Sequence, residues 1–437
     1  MNNPKKKFGL ALSGGGYRAA TYHLGTMRAL NELKVLDKLD VVATNSGGSI
    51  TGAYYALNHD TMNYQDFEKN MLANLRKNTL LRALFHPRCL IGAIYLIGLI
   101  VLIGVSISIW HPLITWGLIV TFLISILFFQ FLIFPISIGI RAAYSAIFFG
   151  NKTLKDFCNK PLLVMNATNV ETGKLWSFSK IQMEDSTYSR NLKPAVLFKP
   201  ELFPVSAAVN ASSCVPFAFT PVHIEKKYFA NPDDTGRVHP LLVDGGVYDN
   251  QGVHKLIQPK SKYECDTIIV SDAGNPMKWK SNQRNAFALL IRMMDIFMLR
   301  IKNVQMIAGV FENTRTIGAN RNIGYFGLSM DPHKTVPFFI EDMFRKGLLT
   351  ADMIAAQGLE GQEHKTDEEL IAIVKSNIKW NEIEPLIPTP KELVLAQGVS
   401  TNLWTLSQAK TDALIKHSYC MTLIFMRLYC PNILNNN

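Results

Sequence analysis

The sequence lacks the patterns typical of a metal centre, a disulfide framework or a nucleic-acid surface. Its six cysteines are scattered without a C-x-x-C pair, and no cysteine or histidine group has metal-ligand spacing. We therefore expect free thiols in a reducing compartment and no metal or other cofactor. The formal net charge is +11, yet no basic run is longer than residues 5–7 and no nucleic-acid-binding motif is present. Nucleic acid is not an expected partner, and no pattern indicates an oligomeric state.

Charged side chains are missing from one long stretch. Residues 89–140 contain no Asp, Glu, Lys or Arg. As helices, residues 89–110 and 113–134 would each extend about 33 Å, against a hydrocarbon core of about 30 Å. His111 and Pro112 would form the turn between them. This stretch predicts a transmembrane hairpin, with a hairpin dipping into one leaflet and a buried core hairpin as alternatives.

Basic residues flank both ends of this stretch, so the positive-inside rule predicts that both flanks are cytoplasmic. A lipid bilayer is then an expected partner, and the basic excess fits an anionic lipid surface. The apolar run after the N-terminal lysines is too short for a signal-peptide core, so we do not expect export by that route.

Outside the apolar stretch, the sequence alternates between short apolar runs and helical spacing. Phe8–Leu12 and residues 40–44 are predicted strands, followed by predicted helices at 17–33 and 48–57. This order predicts a mainly parallel α/β sheet. Three later apolar runs are also predicted to be strands: 161–167, 241–243 and 267–270.

The chain is expected to have three parts. A discontinuous α/β catalytic domain would comprise residues 1–85 and 150–335, interrupted by the hairpin insertion at 86–149. Residues 336–437 would form a helix-rich C-terminal region. Within the second part of the catalytic domain, residues 284–311 predict a long amphipathic helix rich in methionine. We favour packing of this helix on the core, with a lipid-facing surface as the alternative.

The first segment that indicates chemistry is SGGGYRAATYHLG at 13–25. Glycines between a strand and a helix N-terminus present backbone N–H groups to an anion, either a phosphate or an oxyanion. Residues 14–19 also fit the dinucleotide fingerprint G-x-G-x-x-A. That alternative requires an acid at the end of the second strand, where the chain instead has Thr44, Asn45 and Ser46.

The second segment is VVATNSGGSITG at 41–52. A serine between a strand and a helix, flanked by small residues, is typical of a nucleophile elbow. Gly47 and Gly48 follow Ser46, although Thr44 occupies the position where G-x-S-x-G has its first glycine. Ser46 is therefore the candidate nucleophile, with a simple loop as the alternative.

The third segment is LLVDGGVYDNQGV at 241–253. Asp244 follows a predicted central strand, and α/β sheets place their sites at the carboxyl ends of such strands. A plain D-G turn is the alternative. Asp249 and Asp272 compete with Asp244 as candidate bases, and His23 is expected to have a structural role on a core helix.

Together these segments resemble the patatin-like phospholipase family, which has a glycine-rich loop, a serine elbow and a later D-G-[GA] in this order. The stretches 162–178, 207–222 and 268–274 also look similar. The resemblance covers roughly residues 8–80 and 150–280 and is weaker at 406–419. The SGGGYRA variant looks like the bacterial and cytosolic branches, and the hairpin is an insertion relative to the plain family domain.

The resemblance implies a patatin-like three-layer fold and a Ser–Asp dyad. Ser46 would attack an ester carbonyl, Asp244 would take its proton, and the backbone N–H groups of Gly14, Gly15 and Gly16 would hold the oxyanion. Arg18 matches a position that binds substrate phosphate in some relatives; a surface or capping arginine is the alternative.

The implied function is hydrolysis of fatty-acyl esters in membrane phospholipids, without a metal. A neutral-lipid lipase, an acyltransferase with the same dyad and an inactive membrane-tethered scaffold are the alternatives.

Overall fold

A mainly parallel sheet forms the centre of the protein. The computed structural model describes residues 6–277, 279, 284–306 and 321–434, and within these ranges it contains a nine-stranded sheet. The strands are β1 (Phe8–Leu12), β2 (Val41–Asn45), β3 (Leu162–Asn169), β4 (Lys174–Ser179), β5 (Met183–Asp185), β6 (Val222–His223), β7 (Leu241–Asp244), β8 (Thr267–Asp272) and β9 (Asn322–Gly327).

Helices cover both faces of this sheet and predominate in the described C-terminal region. They are α1 (Gly16–Glu32), α2 (Ser46–Asn58), α3 (Tyr64–Leu75), α4 (Thr79–Leu84), α5 (Pro87–Ser108), α6 (Pro112–Phe128), α7 (Gln130–Ile133), α8 (Ile136–Tyr144), α9 (Val205–Ser212), α10 (Gly246–Asp249), α11 (His254–Ile257), α12 (Ala286–Met306), α13 (Thr335–Phe338), α14 (Ala351–Ala356), α15 (Asp367–Asn377), α16 (Trp380–Ile383), α17 (Pro390–Gln397), α18 (Gln408–Tyr429) and α19 (Pro431–Leu434).

The sequence predictions of five strands and of the first two helices are confirmed within a few residues. The main path of the sheet runs β5-β4-β3-β2-β1-β8-β9, and β1 pairs in parallel with both β2 and β8. All side chains of β1 and β2 are buried, as expected for strands covered on both faces. The predicted mainly parallel α/β fold is therefore confirmed.

Two strands pair with the same edge of β3, one after the other along its length. β2 pairs with β3 in parallel as far as Asn45 and Asn166. Beyond that point β7 pairs with β3 in the antiparallel sense, with Asp244 opposite Ala167. Because β4 occupies the other edge of β3, β7 must lie on the edge that β2 leaves free. β7 is thus short and antiparallel, whereas we predicted a central strand of a mainly parallel sheet.

The apolar stretch forms a helical hairpin. α5 and α6 pack against each other, and hydrogen bonds join Tyr95 Oη to Ser125 Oγ (2.9 Å) and Thr115 Oγ1 to Ser106 Oγ (2.9 Å). Large apolar side chains project outward along both helices. By length and composition alone, Pro87–Ser108 and Gln130–Phe149 are each apolar enough to cross a membrane.

The end of the hairpin differs from the predicted boundary. The second predicted span, 113–134, is divided between α6 and α7. Residues 136–149 do not continue the hairpin, because Ile140 and Tyr144 are fully buried in the main core. A Cβ atom on Gly139 of α8 would lie 2.4 Å from the Ala83 carbonyl oxygen of α4. This part of the predicted insertion therefore packs with the α/β domain.

The α12 helix corrects a second expectation. None of its residues is buried, and Phe287 and Phe297 are exposed. Only its end at Met306 packs against a small cluster of buried residues, so the core packing that we favoured is wrong for most of the helix. The predicted continuation over residues 307–311 lies outside the described residues.

The C-terminal region contributes to the same hydrophobic core as the N-terminal strands. Buried side chains from Phe8 to Cys430 form one continuous cluster. The α18 helix lies along α1, and at their closest approach Gly25 has no room for a side chain. A Cβ atom there would lie 2.2 Å from the Ile415 carbonyl oxygen and 2.1 Å from Ser418 Oγ.

We predict that Gly25→Ala lowers the free energy of unfolding by about 1–3 kcal/mol, because overpacking forces two helices apart. Gly236→Ala is the matched control, since a Cβ atom at Gly236 meets nothing within 4 Å. Urea unfolding followed by circular dichroism measures both variants. Equal stability of the two variants would contradict the close α1–α18 contact.

Candidate active site

Ser46 lies on a sharp turn between β2 and α2. Its φ of 46° is positive, which is rare for a residue with a side chain and is typical of strained functional turns. The next two residues have no space for a Cβ atom. At Gly47 such an atom would lie 2.1 Å from the Gly16 carbonyl oxygen, and at Gly48 it would lie 2.4 Å from the Leu12 carbonyl oxygen. The segment thus has the geometry of a nucleophile elbow.

Thr44, which stands where the G-x-S-x-G pattern has its first glycine, is accommodated by a glycine on α2. A Cβ atom on Gly52 would lie 2.6 Å from Thr44 Cγ2, so the threonine methyl group occupies the space that a larger residue would need. The Thr44 hydroxyl joins a chain of hydrogen bonds to Ser49 Oγ (2.9 Å) and on to Ser212 Oγ (2.8 Å). Ser212 Oγ then accepts a hydrogen bond from Ser46 N at 3.0 Å. This chain fixes the backbone of the elbow.

Asp244 lies at the end of β7, beside Ser46. The Ser46 side chain lies near the Asp244 carboxyl group and helps to lower its pKa, and Gly246 N donates to Asp244 Oδ1 at 2.7 Å. Gly245 must lack a side chain, because a Cβ atom would lie 2.5 Å from the Asn166 carbonyl oxygen. Ser46 and Asp244 are only 5% and 7% exposed. The structure therefore brings together the two residues that the sequence indicated from separate motifs.

The charge state of Asp244 is set mainly by its burial. Burial disfavours the carboxylate and raises the pKa of Asp244 to about 6, although the hydrogen bond from Gly246 and the nearby Ser46 side chain act in the opposite direction. A carboxyl group with such a pKa can accept a proton near neutral pH, which is where general bases work best.

The two competing aspartates have other partners. Asp249 accepts hydrogen bonds from the backbone N–H groups of Gln251, Gly252 and His254, so it holds the loop after α10. Asp272 is paired with Lys302 Nζ at 2.7 Å. Burial raises the pKa of Asp272, but the charge and hydrogen bond of Lys302 outweigh burial and bring it to about 2.

The glycine loop adjoins the elbow, but its three N–H groups are not equivalent. Gly14 N donates to the Asn250 carbonyl oxygen at 3.0 Å, so this donor is occupied. The N–H groups of Gly15 and Gly16 donate to no acceptor among the described residues. Both residues have positive φ values, 139° and 59°, that favour glycine. The predicted set of three free donors is thereby reduced to two in this arrangement.

The C-terminal segment at residues 399–402 covers the start of α1. The Asn402 carbonyl oxygen accepts a hydrogen bond from Tyr17 N at 2.8 Å. It would also lie 2.3 Å from a Cβ atom on Gly16. A pyrophosphate at a dinucleotide site needs this helix terminus, so the protein's own backbone occupies the place that the dinucleotide alternative requires.

Arg18 is buried, in contrast to the surface arginine that we considered. It is 5% exposed, its Nη1 donates to the Val399 carbonyl oxygen at 3.2 Å, and its Nε has no partner. Burial lowers the pKa of Arg18 to about 10, partly offset by Asp272. Arg18 and Lys302 line a cavity of about 400 Å³ next to the glycine loop.

His23 links the glycine loop to β8. Its Nε2 lies 2.9 Å from the Ser13 carbonyl oxygen, and its Nδ1 lies 3.0 Å from Ser271 Oγ. Burial lowers the pKa of His23 to about 4, so the ring is neutral and Nε2 carries the proton that is donated to the carbonyl. Both ring nitrogens are engaged, which is consistent with the structural role that we expected.

Sequence reasoning missed two supporting residues, Ser212 and Asn250. The stretch 207–222 was noted as family-like, but nothing in its local pattern indicates that Ser212 contacts the elbow. Asn250 follows the Asp244 motif, yet its contact with Gly14 depends on the fold of the whole sheet. Among the described residues, no group of three or more His, Cys, Asp or Glu side chains could hold a metal ion.

Comparison with known proteins adds to this geometry. A family model described as patatin-like phospholipase matches residues 10–257, more than half of the chain. The chain belongs to the patatin-like phospholipase family. It has the mixed α/β fold of that family. No curated protein sequence matches it.

Two solved structures are similar to the chain at low identity. Human GIVD cytosolic phospholipase A2 has 14% identity and a TM-score of 0.44, covering 98% of this chain. VipD from Legionella pneumophila has 13% identity and a TM-score of 0.33, covering 96% of this chain and 92% of its own. The chain spans 62% of the length of the human protein.

We predict that Asp249→Asn destabilises the protein by about 1–3 kcal/mol, because the amide NH₂ would face a backbone N–H donor that the carboxylate now satisfies. Asp244→Asn is the matched comparison. It should cost less, since the amide oxygen can still accept from Gly246 N and the NH₂ can donate to Ser46. Urea unfolding of both variants tests this ranking, and a larger loss for Asp244→Asn would contradict it.

Proposed function

We propose that this family member cleaves fatty-acyl esters of glycerophospholipids, with Ser46 as nucleophile and Asp244 as its base. The observation that supports this most strongly is that Ser46, on its sharp turn, adjoins a buried carboxyl group whose pKa is raised to about 6. A nucleophile in contact with a base of matched pKa is the arrangement that acyl transfer requires.

The reaction would proceed in two acyl-transfer steps. Asp244 accepts the proton of the Ser46 hydroxyl as Oγ attacks the ester carbonyl carbon. The Gly15 and Gly16 N–H groups stabilise the resulting oxyanion. Asp244 returns the proton to the departing alcohol as the ester C–O bond breaks, which leaves the fatty acyl group on Ser46. Water then attacks this acyl-enzyme, again losing a proton to Asp244, and releases the fatty acid while Ser46 recovers its proton.

Arg18 supports a phospholipid as the substrate. Its guanidinium group is buried next to the glycine loop, retains an unpartnered Nε and lines a cavity with Lys302. Because Lys302 is paired with Asp272, Arg18 is the cation that would attract a substrate phosphate. Measurement of released products on phosphatidylcholine vesicles and on a triacylglycerol emulsion distinguishes this substrate from a neutral lipid.

The hairpin would hold the catalytic domain at the bilayer. The α5 helix is apolar over most of its length, and only 17% of its most apolar window is buried within the protein. In water such an exposed apolar surface is unfavourable, whereas in hydrocarbon it is the expected surface of a spanning helix. Because both ends of the hairpin join the catalytic domain, the hairpin would enter and leave the membrane on the same side. The positive-inside rule predicts that this side is cytoplasmic.

The α12 helix supports a second contact with lipid. Its exposed Phe287 meets Phe217, with ring centroids 6.0 Å apart. Its other end is tied to the site region through Lys302 and Asp272. Because Ser46 is only 5% exposed, a lipid reaches it only after a covering segment moves. The apolar face of α12 would make contact with the bilayer during that movement.

We expect Ser46→Ala to abolish hydrolysis of a water-soluble ester while leaving the fold intact, because no other nucleophile occupies the elbow. Turnover of p-nitrophenyl butyrate measures the loss, and circular dichroism checks the fold. Ser376→Ala, an exposed helix position, is the control and should keep full activity. Retention of a large part of the turnover by Ser46→Ala would end the dyad proposal.

The pH dependence of turnover should follow the ionisation of the Asp244 carboxyl group. Because only the carboxylate accepts the serine proton, kcat/KM for the soluble ester should rise with pH through about 6 and then level off. Asp244→Asn should lower the plateau by at least about a hundredfold. Asp272→Asn is the comparison. If Asp272→Asn were crippling and Asp244→Asn mild, Asp272 would be the base.

The anchoring role can be separated from catalysis by shortening the hairpin. Tyr95 and Ser125 face each other across it, so a short Gly/Ser linker can replace residues 97–123 without disturbing α8. The shortened protein should hydrolyse the soluble ester at the wild-type rate but act at least about tenfold more slowly on vesicles, because it no longer concentrates at the lipid surface. Equal rates on vesicles would contradict the anchoring role.

A further inference from the structure

A large cleft lies at the root of the hairpin, away from the dyad. Its volume is about 1100 Å³, slightly above the range of about 300–1,000 Å³ that is typical of ligand sites. It is bounded by the start of α5, by α7 and α8, by α9 and by residues 220–225. We call it the root cleft. Neither Ser46 nor Asp244 nor any residue of the glycine loop lines it.

The root cleft is apolar on its hairpin side and cationic at its rim. Ile91, Tyr95 and Leu132 contribute exposed apolar surface. Arg88 and Arg141 also line the cleft. Arg141 lies 3.6 Å from Glu225, but Glu225 also pairs with Lys227 at 2.7 Å, so one carboxylate is shared between two cations. Arg88 has no ion pair among the described residues.

One polar side chain of the root cleft has an unmet hydrogen bond. Asn210 of α9 lines the cleft, is 3% exposed, and its Oδ1 has no partner. A buried carbonyl oxygen without a donor costs about 1–3 kcal/mol, so such groups normally have a partner. A ligand hydroxyl at this position would supply one.

The arrangement of these groups along the hairpin matches a lipid in a leaflet. Arg88 lies in the first turn of α5, at the level where a spanning helix leaves the head-group region. Ile91 and Tyr95 follow one and two turns deeper. A phosphate at the arginines would therefore place acyl chains along the apolar side of the cleft. Basic pockets beside the cytoplasmic ends of membrane helices suit anionic lipid head groups.

We propose that the root cleft binds an anionic phospholipid whose head group carries a hydroxyl, as in phosphatidylglycerol, at a second lipid site distinct from the catalytic one. The phosphate would bind Arg88 and Arg141, the head-group hydroxyl would donate to Asn210 Oδ1, and the chains would lie against the hairpin. This inference rests on the proposed membrane position of the hairpin.

The root cleft is joined to the active site through α9. Asn210 is two residues before Ser212, whose hydroxyl accepts from Ser46 N. On the α8 side, Ser137 Oγ lies 3.7 Å from Cys214 Sγ, and the Cys214 carbonyl oxygen accepts from Asp244 N at 2.8 Å. A lipid in the root cleft would thus contact the segment that supports both members of the dyad.

The test measures lipid retention on the full chain in detergent by native mass spectrometry. Equal amounts of ether-linked phosphatidylglycerol and ether-linked phosphatidylcholine are supplied. Ether lipids are not hydrolysed and detergent requires no bilayer, so failure of the proposed hydrolysis or anchoring does not affect the result. Wild type should retain phosphatidylglycerol in preference. Arg88→Ala/Arg141→Ala should bind it roughly twenty-five-fold more weakly, from about fivefold for each arginine.

Two further variants and one treatment complete the design. Ile138→Trp, which fills the root cleft without changing charge, should also lose the lipid. Lys174→Ala/Lys391→Ala, with the same charge change at exposed positions, should retain it. Wild type inactivated by a fluorophosphonate should bind as before, because the root cleft is separate from Ser46.

Several results would overturn the proposal. They are wild-type retention by either root-cleft variant, an equal loss in the lysine control, and equal retention of phosphatidylcholine. Loss of binding after fluorophosphonate treatment would also overturn it, because the lipid would then occupy the catalytic site.

Discussion

The candidate site depends on one feature of the sheet, the edge of β3 that β2 and β7 share. β2 leaves this edge at Asn45 and turns into α2, so Ser46 lies where the parallel pairing stops. β7 takes over the same edge with Asp244 opposite Ala167. Two residues far apart in the chain therefore meet because one strand ends where another begins. The hairpin, inserted between them in sequence, does not interrupt this junction.

Close backbone contacts keep the junction compact. Gly47 lies against the Gly16 carbonyl group, and Gly245 lies against the Asn166 carbonyl group. Side chains at either position would push apart the segments that carry Ser46, Asp244 and the oxyanion donors. Burial also determines the charge state of Asp244, because a carboxyl group enclosed in this way has a raised pKa. Asp272 is equally buried, but Lys302 compensates its charge, so its pKa is low and it is suited to an ion pair.

Much of this arrangement can be predicted from local sequence. The strand, turn and helix around Ser46 follow from an apolar run, small residues and helical spacing, and the aspartate motif is equally local. The antiparallel direction of β7 cannot be predicted in this way, because a four-residue strand has the same pattern in either direction. The packing of residues 136–149 was missed because a membrane helix and a core helix are both apolar. The contacts of residues 399–402 with the glycine loop bring together segments that are far apart in sequence, which local patterns do not reveal.

The central claim is that Ser46 is the nucleophile and that its reactivity depends on a buried carboxylate. The most direct measurement is the rate and position of covalent labelling by a fluorophosphonate, followed by peptide mapping at several pH values. The account predicts a single adduct on the peptide containing Ser46, formed at a rate that rises through about pH 6 as Asp244 loses its proton. An adduct on another serine, or labelling of Ser46 that is independent of pH between about 5 and 7, would contradict it.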